Sequence, residues 1–154
     1  MLIAVDFDGT IVEHRYPEIG PEIPFATETL RMLIRDRHQL ILWSVREGRL
    51  LDEAIQWCRD RGVEFWAVNR DFPEEDITRN ENFARKLRVD LFIDDRNLGG
   101  LPDWGTIYRM VSRGKKWRHL IDEACAGQMD YDYTSNYRHG GSSSHHRKKS
   151  WWPF

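Results

Sequence analysis

The sequence predicts an α/β fold built on a doubly wound, mostly parallel β-sheet. Four short apolar runs occur at residues 2–5, 40–43, 65–68 and 91–93, and none alternates with polar residues. Such runs are typical of strands that are buried on both faces. Helical patterns lie between the runs, and strands that alternate with helices favour right-handed crossovers and parallel pairing.

The first run ends in the segment Asp6-Phe7-Asp8-Gly9-Thr10. Side chains two residues apart on a strand point to the same side, so Asp6 and Asp8 are expected to reach one small space. Two like charges held together in this way need a cation or a shared proton to offset their repulsion. This pair therefore indicates a chemical site at the end of the first strand.

Apolar residues at helical spacing predict the helices that follow. Positions 30, 33 and 34 mark the first helix, and positions 51, 54, 55 and 58 mark the second, which Gly62 is placed to end. Positions 104, 107, 108 and 111 predict a later helix, although a fifth strand over residues 106–110 is an open alternative. The same spacing recurs over residues 117–125.

Periodicity disappears near residue 128, so we predict one domain over residues 1–127 and a polar, flexible tail over 128–154. The tail ends in a basic and aromatic segment, residues 145–154. Its alternative role is to dock on this protein or on a partner. Contact with single-stranded nucleic acid is a further alternative for such a basic and aromatic cluster.

Composition limits the partners and the compartment. The chain has 154 residues, with 23 Lys and Arg against 25 Asp and Glu, a formal charge of −2 that gives no reason to expect nucleic acid or an anionic membrane as the main partner. No apolar run approaches the length of a membrane span, and the first residues lack the features of a signal peptide. Cys58 and Cys125 are interpreted as buried free thiols, so a cytoplasmic protein is expected.

Polar side chains from three predicted strand ends should converge, because ligands of doubly wound sheets bind beyond the carboxyl ends of the strands. Oxygen ligands favour Mg²⁺ over zinc, and Mg²⁺ with an open coordination sphere usually meets phosphate oxygens. The hydroxyl of Ser44 and the ammonium group of Lys86 could bind the remaining phosphate oxygens. Alternatively, Lys86 belongs to a basic face that is exposed to solvent. The residues concerned are Asp6, Asp8, Ser44, Lys86, Asp94 and Asp95.

In order and spacing over residues 1–112, these motifs resemble the four motifs of the haloacid dehalogenase superfamily. The resemblance implies a Rossmann-like sheet, Mg²⁺ and phosphoryl transfer through an aspartyl-phosphate. It implies that Asp6 is the nucleophile and that Asp8 is the general acid and base. Phosphoryl binding falls to Ser44 and Lys86, with Arg85 in reserve for the lysine, and the implied metal site comprises Asp6, Asp8, Asp94 and Asp95.

The resemblance also implies an uncapped form, because too few residues separate Thr10 from the first helix to hold an inserted domain. An open crevice could be completed by a bulky substrate or by a neighbouring subunit. Arg46, Arg96 and Asn97 are either substrate contacts or exposed surface residues. Residues 13–17 form either a flap over the crevice or an ordinary surface loop.

The leading functional prediction is a Mg²⁺-dependent phosphatase that hydrolyses a small phosphate monoester. A nucleotide or polynucleotide phosphatase is an alternative, for which the basic and aromatic tail is the clue. A receiver-like module that accepts a phosphoryl group, or an inactive phosphate-binding module, is another. Receivers place the adjacent acidic pair at the first strand, and this chain has it at the fourth.

Overall fold

The computed structural model describes residues 1–75 and 86–112, which lie within one compact unit, Met1–Lys116. These residues form an α/β structure, as predicted. Its elements in chain order are β1 (Leu2–Val5), α1 (Ala26–Arg35), β2 (Gln39–Leu42), α2 (Gly48–Arg59), β3 (Ala67–Val68), β4 (Leu91–Ile93) and α3 (Trp104–Ser112).

The described strands form one sheet in the order β3-β2-β1-β4, and every pair is parallel. Val5 is level with Leu42 of β2 and with Ile93 of β4, so the carboxyl ends of these strands share one edge. The chain runs outward from β1 through β2 to β3 and then returns to place β4 on the other side of β1. The strand order therefore reverses between β1 and β4, which is where ligands of such sheets bind.

Alternate side chains of the strands enter two separate apolar clusters. Ile3 and Val5 of β1 lie in the larger cluster, to which all three helices contribute their buried side chains. Ala4 lies in the smaller cluster on the opposite face, where Leu87 and the half-buried Val89 cover the sheet. The described helices therefore cover one face, and the double winding of the sheet stays a prediction.

Several details of the predicted elements differ in the structure. The third strand is shorter than the predicted run and spans only Ala67–Val68; the preceding Trp66 is exposed, and its N–H bonds the carbonyl of Leu40 (2.8 Å). β4, at the outside of the described sheet, is less fully buried than predicted: Leu91 and Phe92 are half-buried, although they pack against the larger and the smaller apolar cluster on opposite faces. The alternative of a strand over residues 106–110 is wrong, since α3 occupies that segment.

Several predictions concern the periphery of the fold. Cys58 is a buried free thiol, as predicted, and burial raises the pKa of this thiol to about 12. Cys125, the predicted helix over 117–125, the tail and the proposed boundary at 127 lie outside the described residues. Among the residues that are described, no helix has the length and apolar character needed to cross a membrane.

Candidate metal centre and phosphoryl-transfer site

Three of the predicted carboxylates meet at the edge between β1 and β4. Asp6, Asp94 and Asp95 are half-buried, and each offers a carboxylate oxygen that lies within 4.8 Å of the other two. The backbone N–H of Asp6 bonds the carbonyl of Ile93 (3.0 Å), which extends the β1–β4 ladder into the site. The sheet itself thus brings the two acidic segments together.

Thr10 ties the two acidic segments to each other. Its buried hydroxyl donates to Oδ2 of Asp6 (3.1 Å) and accepts a hydrogen bond from the backbone N–H of Asp95 (3.0 Å). The indole N–H of Trp104 in α3 donates to the carbonyl of Thr10 (3.1 Å) and fixes its backbone. Sequence reasoning placed Thr10 in the motif and Trp104 in a helix, but it gave neither residue this role.

The close carboxylates and their burial change the titration of Asp6. The pKa of Asp6 is raised to about 6, mainly by burial and also by the charges of Asp94 and Asp95, while hydrogen bonds from Phe7 and Thr10 partly oppose the shift. Because the folded-state pKa exceeds the unfolded value, the protonated form stabilises the metal-free fold. This contribution is complete below about pH 4 and is lost as the pH rises through about 6. The ionised cluster is therefore unfavourable without a cation.

An unpartnered oxygen adds a second sign of a cation. Oδ1 of Asp95 is buried and has no hydrogen-bond partner among the described residues. Gly9, at φ 92°, leaves the space beside this carboxylate, since a Cβ on Gly9 would lie 2.5 Å from Oδ2 of Asp95. Buried carboxylate oxygens are normally paired, so this atom calls for a ligand such as a hard divalent cation.

Asp8 has a different environment from Asp6. Both of its oxygens accept hydrogen bonds from Arg46, Oδ2 from Nε and Oδ1 from Nη2, each at 2.7 Å. Asp8 is not part of the three-carboxylate group, although it lines the same cleft. Arg46 is fully buried, so the interpretation of Arg46 as an exposed residue at the start of a helix is wrong. The neighbouring Asp8 raises the pKa of the Arg46 guanidinium.

Ser44 is held at the end of β2 by a residue that sequence reasoning missed. The side-chain amide of Asn69 accepts a hydrogen bond from the N–H of Ser44 and donates one to its carbonyl, both at 2.8 Å. Asn69 adopts φ 52°, a left-handed conformation that asparagine tolerates better than most residues. Its position just after the third apolar run was the available signal. The hydroxyl of Ser44 accepts a bond from the N–H of Arg46 (3.2 Å).

The site opens into a cleft of about 950 Å³. Asp6, Asp8, Ser44 and Asp94 line it together with the aromatic or cationic side chains of His14, Tyr16, Trp43 and Arg96. Residues 14 and 16 belong to the segment that was predicted to be either a flap or a surface loop. This loop therefore contributes to the wall of the cleft.

The remaining predicted site residues are not in the three-carboxylate group, and most of them do not line the cleft. Lys86 and Asn97 are exposed, and neither is among the described residues that line the cleft. The N–H of Arg96 bonds Oδ1 of Asp94 (2.8 Å), so this loop orients one of the three carboxylates. Arg85 lies outside the described residues. The phosphate-binding role of Lys86 and the substrate contact of Asn97 stay predictions.

The fold and the site define an α/β protein with an acidic crevice where its strand order reverses. The chain is 65% identical to a conserved protein coded by a locus from Bacteroides thetaiotaomicron, whose solved structure matches with a TM-score of 0.73. The match covers 78% of this chain and 96% of that one, so the chain belongs to the same family as this conserved protein. No family model and no curated protein matches the chain. The parallel sheet and the aspartate cluster are compatible with the haloacid dehalogenase superfamily.

Proposed function

We propose that this protein is a Mg²⁺-dependent phosphatase of the haloacid dehalogenase type, which hydrolyses a phosphate monoester through an aspartyl-phosphate. The observation that carries the proposal is the group formed by Asp6, Asp94 and Asp95 at the switch point of the sheet. Three ionised carboxylates whose oxygens lie within 4.8 Å of one another repel each other, and a bound cation offsets this repulsion. The unpartnered oxygen of Asp95 adds a reason for a cation at this place.

The donor set fits Mg²⁺, because it consists of carboxylate oxygens from three side chains, without sulfur or nitrogen. Asp6, Asp94 and Asp95 would hold the ion. When bound, it would offset the repulsion between the substrate dianion and the site and would stabilise charge on the transferred oxygens.

The residues of the chain then have separate tasks. A carboxylate oxygen of Asp6 attacks phosphorus while the bond from phosphorus to the leaving oxygen breaks, and Asp8 donates a proton to that oxygen. Asp8 next accepts a proton from water, whose oxygen attacks the phosphorus and releases phosphate and free Asp6. Thr10 orients Asp6 throughout, and the hydroxyl of Ser44 binds a phosphoryl oxygen.

We expect hydrolysis of p-nitrophenyl phosphate that requires Mg²⁺ and stops in EDTA. Asp6→Asn keeps the size of the side chain but removes the nucleophile, so we expect kcat to fall by about 10³-fold or more. Asp52→Asn is the matched control, since Asp52 is an exposed residue of α2, and its activity should equal that of the wild type. Undiminished activity of Asp6→Asn would refute the assigned nucleophile.

A second candidate is a module that binds or accepts a phosphoryl group without efficient turnover. Two observations favour it: both oxygens of Asp8 are occupied by Arg46, and Lys86 is not among the described residues of the cleft. Two results together would support this candidate: acetyl phosphate labels Asp6 with a phosphoryl group that persists, and the protein does not hydrolyse p-nitrophenyl phosphate. The nucleotide or polynucleotide phosphatase depends on the tail outside the described residues and stays a prediction.

A further inference from the structure

Arg46 contacts Asp8 of the site on one side. On the other side it contacts the cleft loop, which comprises residues 14–18 and lines the cleft. Besides its two bonds to Asp8, its Nη1 donates to the carbonyl of Pro17 and its Nη2 to the carbonyl of Glu18, both at 2.9 Å. Its guanidinium carbon lies 5.2 Å from the ring centre of Phe7 and 5.3 Å from that of Tyr16. A fully buried guanidinium thus joins the segment after β1, the turn before α2 and the cleft loop.

We propose that Arg46 is a positioning residue that holds the Asp8 carboxylate and residues 16–18 as one unit. Tyr16, which lies beside the guanidinium and is half exposed, then forms a fixed wall of the cleft. The effect of this unit on turnover rests on the proposed phosphatase function. The coupling between Asp8 and the loop does not.

The planar fork of arginine explains why this residue type is needed. Two parallel hydrogen bonds fix the plane and the distance of the Asp8 carboxylate, while the outer N–H groups remain directed at the carbonyls of the loop. Lysine keeps the charge but has neither the fork nor the flat face. Arg46→Lys therefore leaves the ion pair possible while it releases the geometry of Asp8 and the loop.

The first test uses Arg46→Lys and the matched control Arg49→Lys, which changes an exposed arginine of α2 that pairs with Glu53. We expect Arg46→Lys to lower kcat for p-nitrophenyl phosphate by about 10²-fold with little change in KM, because a small displacement of a reacting group has this effect. Mg²⁺ affinity, measured by calorimetry, should not change, since Arg46 bonds none of the three clustered carboxylates. An unchanged kcat in Arg46→Lys would overturn the proposal. An increased kcat would also overturn it, because Arg46 would then hinder Asp8 rather than position it.

The second test does not depend on activity. Arg15 is an exposed trypsin site directly before Tyr16, so the rate at which the fragment 1–15 appears reports opening of the loop. We expect about tenfold faster cleavage in Arg46→Lys than in the wild type or in Arg49→Lys. Asp8→Asn should also accelerate cleavage, because it disturbs the same unit from its other end. Slow cleavage after Arg59, at the end of α2, shows in each variant that the fold is intact.

The two tests separate the possible failures. If the wild type hydrolyses no phosphate ester but both variants open the loop, the coupling stands and the proposed function fails. If the wild type is an active phosphatase and the loop of both variants stays as resistant as in the wild type, the coupling is wrong and the function stands.

Discussion

Arg46→Met is expected to lower the free energy of unfolding by about 3 to 5 kcal/mol, because it leaves a buried carboxylate without its partner. The side chains of Arg46 and Asp8 are 0% and 6% exposed, so water cannot replace the lost hydrogen bonds without opening the structure. The carbonyls of Pro17 and Glu18 also lose their donors. Urea unfolding monitored by tryptophan fluorescence measures the change.

A double variant and an exposed pair control this prediction. Adding Asp8→Leu to Arg46→Met removes the unpaired charge, and we expect it to restore most of the lost stability, since apolar replacements of buried ion pairs are often neutral. Arg49→Met breaks the exposed pair with Glu53 and should change stability by less than about 1 kcal/mol. A loss below about 1 kcal/mol in Arg46→Met as well would contradict the buried pair.

Gly9→Ala is expected to lower the free energy of unfolding by about 2 to 4 kcal/mol and to weaken Mg²⁺ binding. Two effects combine at this position. The backbone of Gly9 has φ 92°, where a side chain is strained, and the new Cβ would lie 2.5 Å from Oδ2 and 2.8 Å from Cγ of Asp95. Asp95 must move, and its movement disturbs the three-carboxylate group. Urea unfolding and calorimetric titration with Mg²⁺ measure the two effects.

Gly99→Ala separates backbone strain from the contact with Asp95. Gly99 has φ 96°, nearly the same as Gly9, but a Cβ there would meet nothing within 4 Å among the described residues. We expect only the strain, about 1 to 2 kcal/mol, and unchanged Mg²⁺ affinity. Equal losses in the two variants would show that Gly9 does not shape the site.

The strands were the most predictable part of the fold. The first and fourth apolar runs match β1 and β4 residue by residue, because a polar residue bounds each run where it enters the cleft. The third run was predicted too long, since hydrophobicity alone does not show that Trp66 is exposed at the approach to β3. Whether β4 has a neighbouring strand on both sides depends on the arrangement of the whole sheet, so the residues of β4 alone do not predict it.

The acidic group was predictable, but its supporting contacts were not. Asp6, Asp94 and Asp95 meet because β1 and β4 are parallel neighbours that end at one edge, and the alternation of strands and helices predicts the parallel direction. The pairing of Asp8 with Arg46 joins residues 38 positions apart and depends on the path of the loop. The Asn69 bonds and the Trp104 bond are also long-range, since they span 25 and 94 positions. The sequence therefore predicted the chemistry of the ligands better than the groups that orient them.

Calorimetric titration with Mg²⁺ tests the central claim, that these three carboxylates hold a divalent cation. Well above pH 6 we predict that a single ion binds and that Asp6→Asn weakens its affinity by about tenfold or more, while Asp52→Asn leaves it unchanged. The Mg²⁺ affinity of the wild type should decrease as the pH falls below about 6, because a proton then competes with the cation for Asp6, whose pKa is raised to about 6. Absence of binding, or equal affinity in Asp6→Asn and the wild type, would contradict the account.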